Sequence, residues 1–317
     1  MSGRTAVTDS LWFRRFHPFD TAPARVVMFP HAGGSAGFFR DWSAELSPYA
    51  DVLAVQYPGR LDRIEEPALD SLPELADRVY AALRPWADRP LVLFGHSMGA
   101  AVAFEVARRF ERDGVSGPVR LCASGSRAPS EPRDSAVHLL PDEGLLAELA
   151  RLGGTDARLL ADPELRALIL PSLRGDYTAI ETYLAGREET VAVPVTALTG
   201  DADPRVTVEQ TRDWAAHTTG DFDVHVFPGG HFYLTHQRRA VLEVVPPPLR
   251  RCPGRPRRPG GPGPPGPPRV RRRPARRRRG SAPRRGPGQA GVHGLQDLEA
   301  DPAQLFQLLG VQRIHDQ

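Results

Sequence analysis

Two serines of the sequence lie in a Gly-x-Ser-x-Gly pattern, and either hydroxyl could serve as a nucleophile. The pattern around Ser97 comes directly after the apolar run 91–94 and leads into small and apolar residues that favour a helix. A strand, a sharp turn and a helix in this order present a serine hydroxyl at the end of a sheet. Ser35 is separated from its strand, and we expect it to be a loop or helix-capping residue. Ser97 is therefore the predicted nucleophile.

A serine hydroxyl becomes an effective nucleophile when a histidine takes its proton and a carboxylate orients that histidine. Around a turn of this kind, the acid and then the histidine follow the serine along the chain. His231 follows the predicted strand 222–227 and two glycines, and we predict it as the general base. Asp201 and Asp203 both follow the predicted strand 195–198, so the residues alone leave the acid open between them.

Acyl transfer to a serine also needs hydrogen-bond donors for the oxyanion of the tetrahedral intermediate. One donor is commonly the amide after the nucleophile, and the other comes from a Gly-rich loop after an early strand. The segment 31–34 (His-Ala-Gly-Gly) is such a loop and follows the predicted strand 25–29. We predict the backbone N–H groups of Ala32 and Met98 as the donors. The alternative for the loop is a flexible turn before a helix.

The elements that must position these residues alternate between short apolar runs and longer helical patterns. This alternation is typical of an α/β fold with a mostly parallel central sheet flanked by helices, and continuous apolar runs suit strands buried on both faces. The predicted strands are 25–29, 52–56, 91–94, 119–123, 195–198 and 222–227, and the predicted helices are 72–83, 98–110, 208–217 and 232–245. The interval from about 129 to 190 has leucines at helical spacing and is predicted to be a helical insertion.

The composition excludes several classes of protein. The chain has 317 residues, of which 40% are hydrophobic and 25% charged, enough for a large domain with its own core. It contains no run of about 18 apolar residues, the length of a membrane-spanning helix, and no apolar signal-peptide core near its start. Cys122 and Cys252 lie in unlike contexts and indicate neither a disulfide framework nor a metal site. We expect a cytoplasmic protein that does not bind membranes.

Five motifs together closely resemble the type II thioesterases that accompany polyketide synthases and nonribosomal peptide synthetases. The resemblance spans about residues 16–245. The motifs are 30–34 (PHAGG), 57–60 (YPGR), 95–99 (GHSMG), 200–203 (GDAD) and 229–232 (GGHF).

This resemblance implies an α/β-hydrolase fold over residues 1–245, with the insertion at about 129–190 forming a helical lid over an acyl channel. It also implies that the catalytic acid is the second aspartate of GDAD, Asp203, and that Asp201 braces the turn. The implied function is hydrolysis of acyl or aminoacyl groups held as thioesters on the phosphopantetheine arm of an acyl or peptidyl carrier protein. No metal or redox cofactor is implied.

The residues themselves support a narrower statement, which is acyl transfer from a carbonyl to Ser97 and then to water. Nothing in a serine, a histidine and an aspartate distinguishes a thioester from an ester or an amide. The alternatives are therefore a carboxylesterase or lipase, and a cyclising thioesterase that delivers the acyl group to an internal nucleophile.

The C-terminal segment 246–317 differs sharply from the rest of the chain. Residues 1–245 contain 25 Arg and 34 Asp plus Glu, a net charge of −9, whereas residues 246–317 contain 16 Arg and 4 acids, a net charge of +12. With 14 Pro, 10 Gly and 15 Arg, the stretch 246–294 offers little apolar surface to bury, and we predict a Pro/Gly/Arg-rich disordered tail. The resemblance ends at the same place, so we hypothesise that the tail is translated from a shifted reading frame.

Two functional hypotheses compete with that account of the tail. Clustered arginines could bind nucleic acid or another anionic polymer without sequence specificity, although aromatic residues for base stacking are not interleaved among them. The more apolar stretch 294–317 could form a short docking helix. The main hypothesis includes no specific nucleic-acid partner.

Overall fold

The computed structural model describes residues 11–152 and 162–245, and its main feature is a seven-stranded sheet. The strand order is β1-β3-β2-β4-β5-β6-β7, and every pairing is parallel except that of β1 with β3. The strands are β1 (Phe13–Arg14), β2 (Arg25–Phe29), β3 (Asp51–Val55), β4 (Leu91–His96), β5 (Pro118–Ser124), β6 (Val195–Gly200) and β7 (Phe222–Phe227).

Eight α-helices lie in the described part of the chain and cover the sheet on both faces. Serine, threonine or aspartate caps three of them, because a side-chain oxygen accepts otherwise unpaired amide hydrogens of the first turn. The helices are α1 (Arg40–Leu46), α2 (Leu72–Leu83), α3 (Met98–Arg112), α4 (Asp142–Leu152), α5 (Pro163–Glu181), α6 (Val208–Arg212), α7 (Tyr233–His236) and α8 (Arg238–Val244).

The central strands are apolar at successive positions because each face packs against its own helices. On β4, Leu91 and Leu93 belong to the core beneath α2 and α3, whereas Val92 and Phe94 belong to the core beneath α1, α7 and α8. Each of these four side chains is fully buried. The observed layers confirm the predicted α/β class with a mostly parallel sheet.

The register of the sheet brings several loops to one edge. Phe29 of β2 pairs with Gly95 of β4, and Gly200 of β6 pairs with Phe227 of β7. Because the strands are parallel, the loops that follow β2, β4, β6 and β7 all leave the sheet at its carboxyl edge.

Helices α4 and α5 lie between β5 and β6, within the predicted helical insertion, and we refer to this pair as the lid. Their apolar faces form a third, smaller cluster, although Ala179 and Ile180 at the end of α5 belong to the core beneath α2 and α3. The buried members of the third cluster are Val137, Leu145, Leu146, Leu149, Leu173 and Tyr177. Residues 153–161, which join the two helices, are outside the described part of the chain.

Several predicted boundaries were wrong. The helix predicted over 232–245 is two helices interrupted at Gln237, and the one predicted over 208–217 continues as a 3-10 helix after Arg212. Strands β4 and β6 each extend two residues beyond their predicted ends, because backbone pairing with the neighbouring strands continues through His96 and Gly200. Strand β1 was not predicted because it has only two residues, and helix α1 was not predicted because it buries few apolar side chains.

None of the helices in the described ranges has the length and apolar character required to span a bilayer. The predicted tail, 246–317, and its proposed docking helix, 294–317, lie outside the described residues, as does Cys252. The other cysteine, Cys122, is a free thiol buried in β5, and burial raises its pKa to about 12.

Candidate active site

The turn between β4 and α3 holds Ser97 in a backbone conformation that few non-glycine residues adopt. Its φ is 55° and its ψ is −118°. The turn is so tight that a Cβ atom on Gly95 would collide with the carbonyl group of Gly99, and one on Gly99 would collide with that of Phe29. Small residues at both positions are therefore required for the strained turn that presents the serine.

Ser97, His231 and Asp203 form a continuous chain of hydrogen bonds. The Ser97 hydroxyl lies 3.1 Å from Nε2 of His231, and Nδ1 of His231 lies 2.9 Å from Oδ2 and 3.1 Å from Oδ1 of Asp203. Because a carboxylate can only accept, Nδ1 carries the proton and Nε2 is free to accept the one on Ser97. His231 is only 4% exposed, so its two partners hold the ring in a fixed orientation.

The two aspartates after β6 have different partners. Asp203 contacts His231 and also accepts the Arg205 amide hydrogen at 2.8 Å. Oδ1 of Asp201 instead accepts the amide hydrogen of Gly229 at 2.9 Å, which ties the loop after β6 to the loop after β7. The geometry therefore assigns different positions to the two residues that the spacing alone left equivalent.

The amides of Ala32 and Met98 lie beside the same cavity as Ser97. The loop at Ala32 is a turn closed by the Gly34 amide, which donates to the carbonyl of His31 at 2.9 Å. Within 11–152 and 162–245, no protein group accepts the amide hydrogen of Ala32 or of Met98. Both are consequently free to donate to an oxygen atom of a bound substrate.

Ser35, the other serine in the same pattern, is at the residue before a 3-10 helix (Ala36–Phe39). Its backbone carbonyl accepts the Phe38 amide hydrogen at 3.2 Å, but its side chain makes no capping hydrogen bond. Ser35 is therefore a loop residue, which was one of the two roles expected for it. Among the described residues, no histidine or carboxylate lies against its hydroxyl.

Two further imidazoles lie beside His231 and are uncharged at neutral pH. Burial lowers the pKa of His31 to about 3, with smaller contributions from His231 and Arg60. Burial likewise holds the pKa of His96 well below its usual range, again with His231 nearby. Nδ1 of His96 bonds to the Ser124 hydroxyl at 3.0 Å. A positive charge that forms on His231 therefore meets no second imidazolium.

A cavity of about 370 Å³ extends from Ser97 to the lid. The lid contributes apolar surface from Leu149, Tyr177 and Ile180 to its wall. The same wall contains guanidinium groups, among them Arg133, whose pKa burial lowers to about 10. The cavity can accept an acyl chain with its carbonyl carbon at Ser97.

Two residues that hold the loop at Ala32 were not predicted. Asp176 on α5 accepts the Gly33 amide hydrogen at 2.7 Å and forms a buried ion pair with Arg60, which in turn donates to the carbonyl of Gly34 at 2.9 Å. Arg60 belongs to the motif 57–60 and Asp176 to the predicted insertion, yet 116 positions separate them, and no local pattern indicates that they pair.

Comparisons with known proteins identify relatives over the same part of the chain. A family model described as a thioesterase domain matches residues 24–248. A probable cadicidin biosynthesis thioesterase from Streptomyces griseus is 50% identical over 234 residues, which cover 74% of this chain and 64% of the relative. Thioesterase PikA5 from Streptomyces venezuelae is 50% identical over 240 residues, covering 75% of this chain and 85% of the relative.

Solved structures agree with this assignment. The type II thioesterase BorB from the borrelidin biosynthetic cluster has a TM-score of 0.69 and 48% identity, covering 74% of this chain and 96% of BorB. YbtT, a type II thioesterase from the yersiniabactin NRPS/PKS biosynthetic pathway, has a TM-score of 0.68 and 32% identity, covering 74% of this chain and 96% of YbtT. These similarities confirm the α/β-hydrolase fold predicted from the sequence.

Proposed function

The chain belongs to the type II thioesterase family, and on that premise we propose that it hydrolyses acyl or aminoacyl groups held as thioesters on the phosphopantetheine arm of a carrier protein. In this proposal Ser97 is the nucleophile, His231 the general base and Asp203 the residue that orients His231. The amide hydrogens of Ala32 and Met98 form the oxyanion hole. The observation that carries the proposal is the 3.1 Å contact between the Ser97 hydroxyl and Nε2 of a histidine already bonded to a carboxylate.

In the first half of the reaction, Ser97 Oγ attacks the thioester carbonyl carbon and His231 Nε2 takes the hydroxyl proton. The carbonyl oxygen becomes an oxyanion, which the two amides stabilise. Asp203 stabilises the imidazolium that forms on His231. The carbon–sulfur bond then breaks, the pantetheine sulfur leaves as a thiol with the proton from His231, and an acyl ester on Ser97 remains.

In the second half, water takes the place of the departed thiol. His231 Nε2 removes a proton from this water, whose oxygen attacks the acyl ester to form a second oxyanion at the same two amides. When the intermediate collapses, the proton returns from His231 to Ser97 Oγ and the free carboxylic acid departs. The sum is one thioester and one water converted to one acid and one thiol.

The relatives support the choice of a carrier-bound thioester over other carbonyl substrates. PikA5, BorB and YbtT are named as thioesterases, and BorB and YbtT come from a biosynthetic cluster and a biosynthetic pathway, respectively. We infer an acyl or peptidyl carrier protein as the partner and editing of stalled acyl groups as the role. With this role, we infer that the protein acts in the cytoplasm, beside the synthase that it would serve.

The test compares one acyl group in three chemical forms: on a phosphopantetheine carrier protein, on free pantetheine, and as an ethyl ester. The proposal expects the carrier thioester to have the highest kcat/KM and the product to be the linear acid by mass spectrometry. A preference for the ester would indicate a carboxylesterase, and a lactone or lactam product would indicate a cyclising enzyme.

The Ser97→Ala variant supplies the matched control for the nucleophile. It should lose about 10⁴-fold or more in kcat while its melting temperature is unchanged, because the hydroxyl supplies the covalent step and little packing. Ser35→Ala should retain turnover within about twofold, since surface substitutions away from the reacting atoms have small effects. Normal turnover in Ser97→Ala would refute the assignment.

A further inference from the structure

The link between the lid and the loop at Ala32 has a mechanistic consequence. Asp176 is 1% exposed and lies on α5, in the lid, whereas its partners are on the body of the protein. A buried carboxylate is costly unless it is paired and hydrogen-bonded. Burial raises the pKa of Asp176, and Arg60 together with the Gly33 amide opposes that shift.

The contacts of Asp176 converge on the peptide next to the proposed oxyanion donor. Asp176 Oδ2 accepts from the Gly33 amide, which belongs to the peptide group directly after Ala32. Arg60 uses its other nitrogens on the carbonyls of Gly34 and Pro58, at 2.9 and 2.6 Å. The carboxylate and the guanidinium therefore fix the peptide planes at Gly33 and Gly34.

The backbone at this point cannot hold its shape through its own side chains. Gly33 has a φ of +74°, and a Cβ atom placed on it would lie 2.8 Å from Cδ1 of Leu173, one turn of α5 before Asp176. The loop is thus a glycine turn pressed directly against the lid helix. Its conformation depends on partners outside the loop, because glycine is compatible with many other backbone angles.

We propose that Asp176 is a positioning residue for the oxyanion hole, so that the Ala32 amide is correctly oriented only while the lid helix is docked on Arg60 and Gly33. Transition-state stabilisation is then coupled to the position of the lid. Displacement of α5 removes the acceptor of the Gly33 amide and leaves the Arg60 guanidinium without its buried counter-charge. This inference rests on the proposed function of Ser97 and the Ala32 amide.

The experiment uses the full chain and an acyl-pantetheine thioester, and it measures kcat and KM separately. Asp176→Asn removes the buried counter-charge of Arg60 and should lower kcat by about 10- to 100-fold, up to the effect of losing one oxyanion donor, with KM within about threefold. An alkylboronic acid, which forms a tetrahedral adduct on the serine, should lose affinity by the same factor as kcat. A purely structural role of Asp176 would not make the loss of boronic acid affinity equal to the loss of kcat.

Glu105→Gln is the matched control. Glu105 is also a buried carboxylate of an ion pair, with Arg109, and it accepts from Tyr183 just after α5, but it does not contact the loop at Ala32. This variant should lower the melting temperature and leave kcat within about twofold. Equal kcat losses in Asp176→Asn and Glu105→Gln would overturn the proposal, as would a rise in KM with unchanged kcat.

If Asp176→Asn does not fold, Arg60→Lys tests the same link from the other side. Lysine keeps the charge beside Asp176 but cannot donate to Gly34 and Pro58 together, so kcat should again fall with little change in KM. Its control is Arg63→Lys, a buried arginine bound to Glu66 and to the Gln56 carbonyl, which should leave kcat unchanged. Equal kcat in the two variants would overturn the proposal.

The wild-type protein separates failure of this inference from failure of the proposed function. If the wild type does not hydrolyse the thioester, the proposed function fails. If it does, and Asp176→Asn has the same kcat and boronate affinity as the wild type, only the positioning role fails.

Discussion

The carboxyl edge of the sheet and the lid hold their functional groups by different means. At the sheet edge, Ser97, Asp203 and His231 follow strands whose registers are fixed by continuous pairing, and glycines allow the turns to close tightly. The lid packs around a small apolar cluster of its own, and it is joined to the body by the buried carboxylate of Asp176 and by Ala179 and Ile180 at the end of α5. The atoms that we propose form and break bonds thus lie on the part with the denser backbone pairing, while the lid contributes through a few specific links.

The test with the largest expected effect compares the two aspartates at the sheet edge. Asp203→Asn should lower kcat by about 10⁴-fold, because an amide favours the wrong tautomer of His231. Asp201→Asn should cost far less, since its oxygen can still accept from Gly229. Steady-state kinetics on the same thioester provide the measurement, and comparable losses in the two variants would show that the bracing contact is as important as the orienting one.

A second test measures how the free energy of unfolding depends on pH through the buried histidines at the sheet edge. The folded pKa of His31, about 3, lies below the usual 6.5, so the unfolded chain binds a proton that the folded chain does not. The free energy of unfolding should therefore decrease as pH falls through 6.5 toward 3, by about 2 kcal/mol from His31 alone between pH 7 and pH 5. Urea denaturation at the two pH values measures this change.

His96 contributes in the same direction because its pKa is also lowered by burial. The variant His96→Asn retains an acceptor or donor for the Ser124 hydroxyl and removes the titrating ring. The free energy of unfolding of this variant should depend less on pH than that of the wild type. An unchanged dependence would mean that other groups dominate the acid sensitivity of the fold.

The third test compares hydrogen exchange in the two regions. Amides of α4 and α5 should exchange faster than those of β4 and α3, because the lid cluster is small and only the end of α5, at Ala179 and Ile180, belongs to a main core. An acyl phosphonate bound at Ser97 should slow exchange in the lid by filling the cavity beneath it. Equal protection of both regions, with or without the phosphonate, would contradict a lid that moves independently of the sheet.

The smallest expected effect concerns the tail. A chain ending at Pro248 keeps the whole segment matched by the family model, and we predict that its thioester hydrolysis equals that of the full chain within about twofold. Kinetics with a carrier-bound substrate give the measurement. A large loss of activity or carrier affinity in the shortened chain would support the docking-helix hypothesis instead of a shifted reading frame.

Sequence reasoning was most effective where chemistry is encoded locally. The strand, turn and helix around Ser97 occupy consecutive residues, and the bounds of β2, β7 and α2 were predicted without error. The choice between Asp201 and Asp203 required either a family resemblance or coordinates, because both follow the same strand. The pairing of Arg60 with Asp176 could not be predicted, since it depends on how the insertion folds back over a loop 143 residues away from Asp176.

The order of the strands along the chain also determines when the site can form during synthesis. The loop at Ala32 follows β2 and Ser97 follows β4, which are made early, whereas Asp203 and His231 follow β6 and β7, the last two strands of the sheet. A ribosome-bound chain that has released only β1 to β5 therefore exposes a serine with neither acid nor base. The three groups therefore come together only after β7 has been made and has paired with β6.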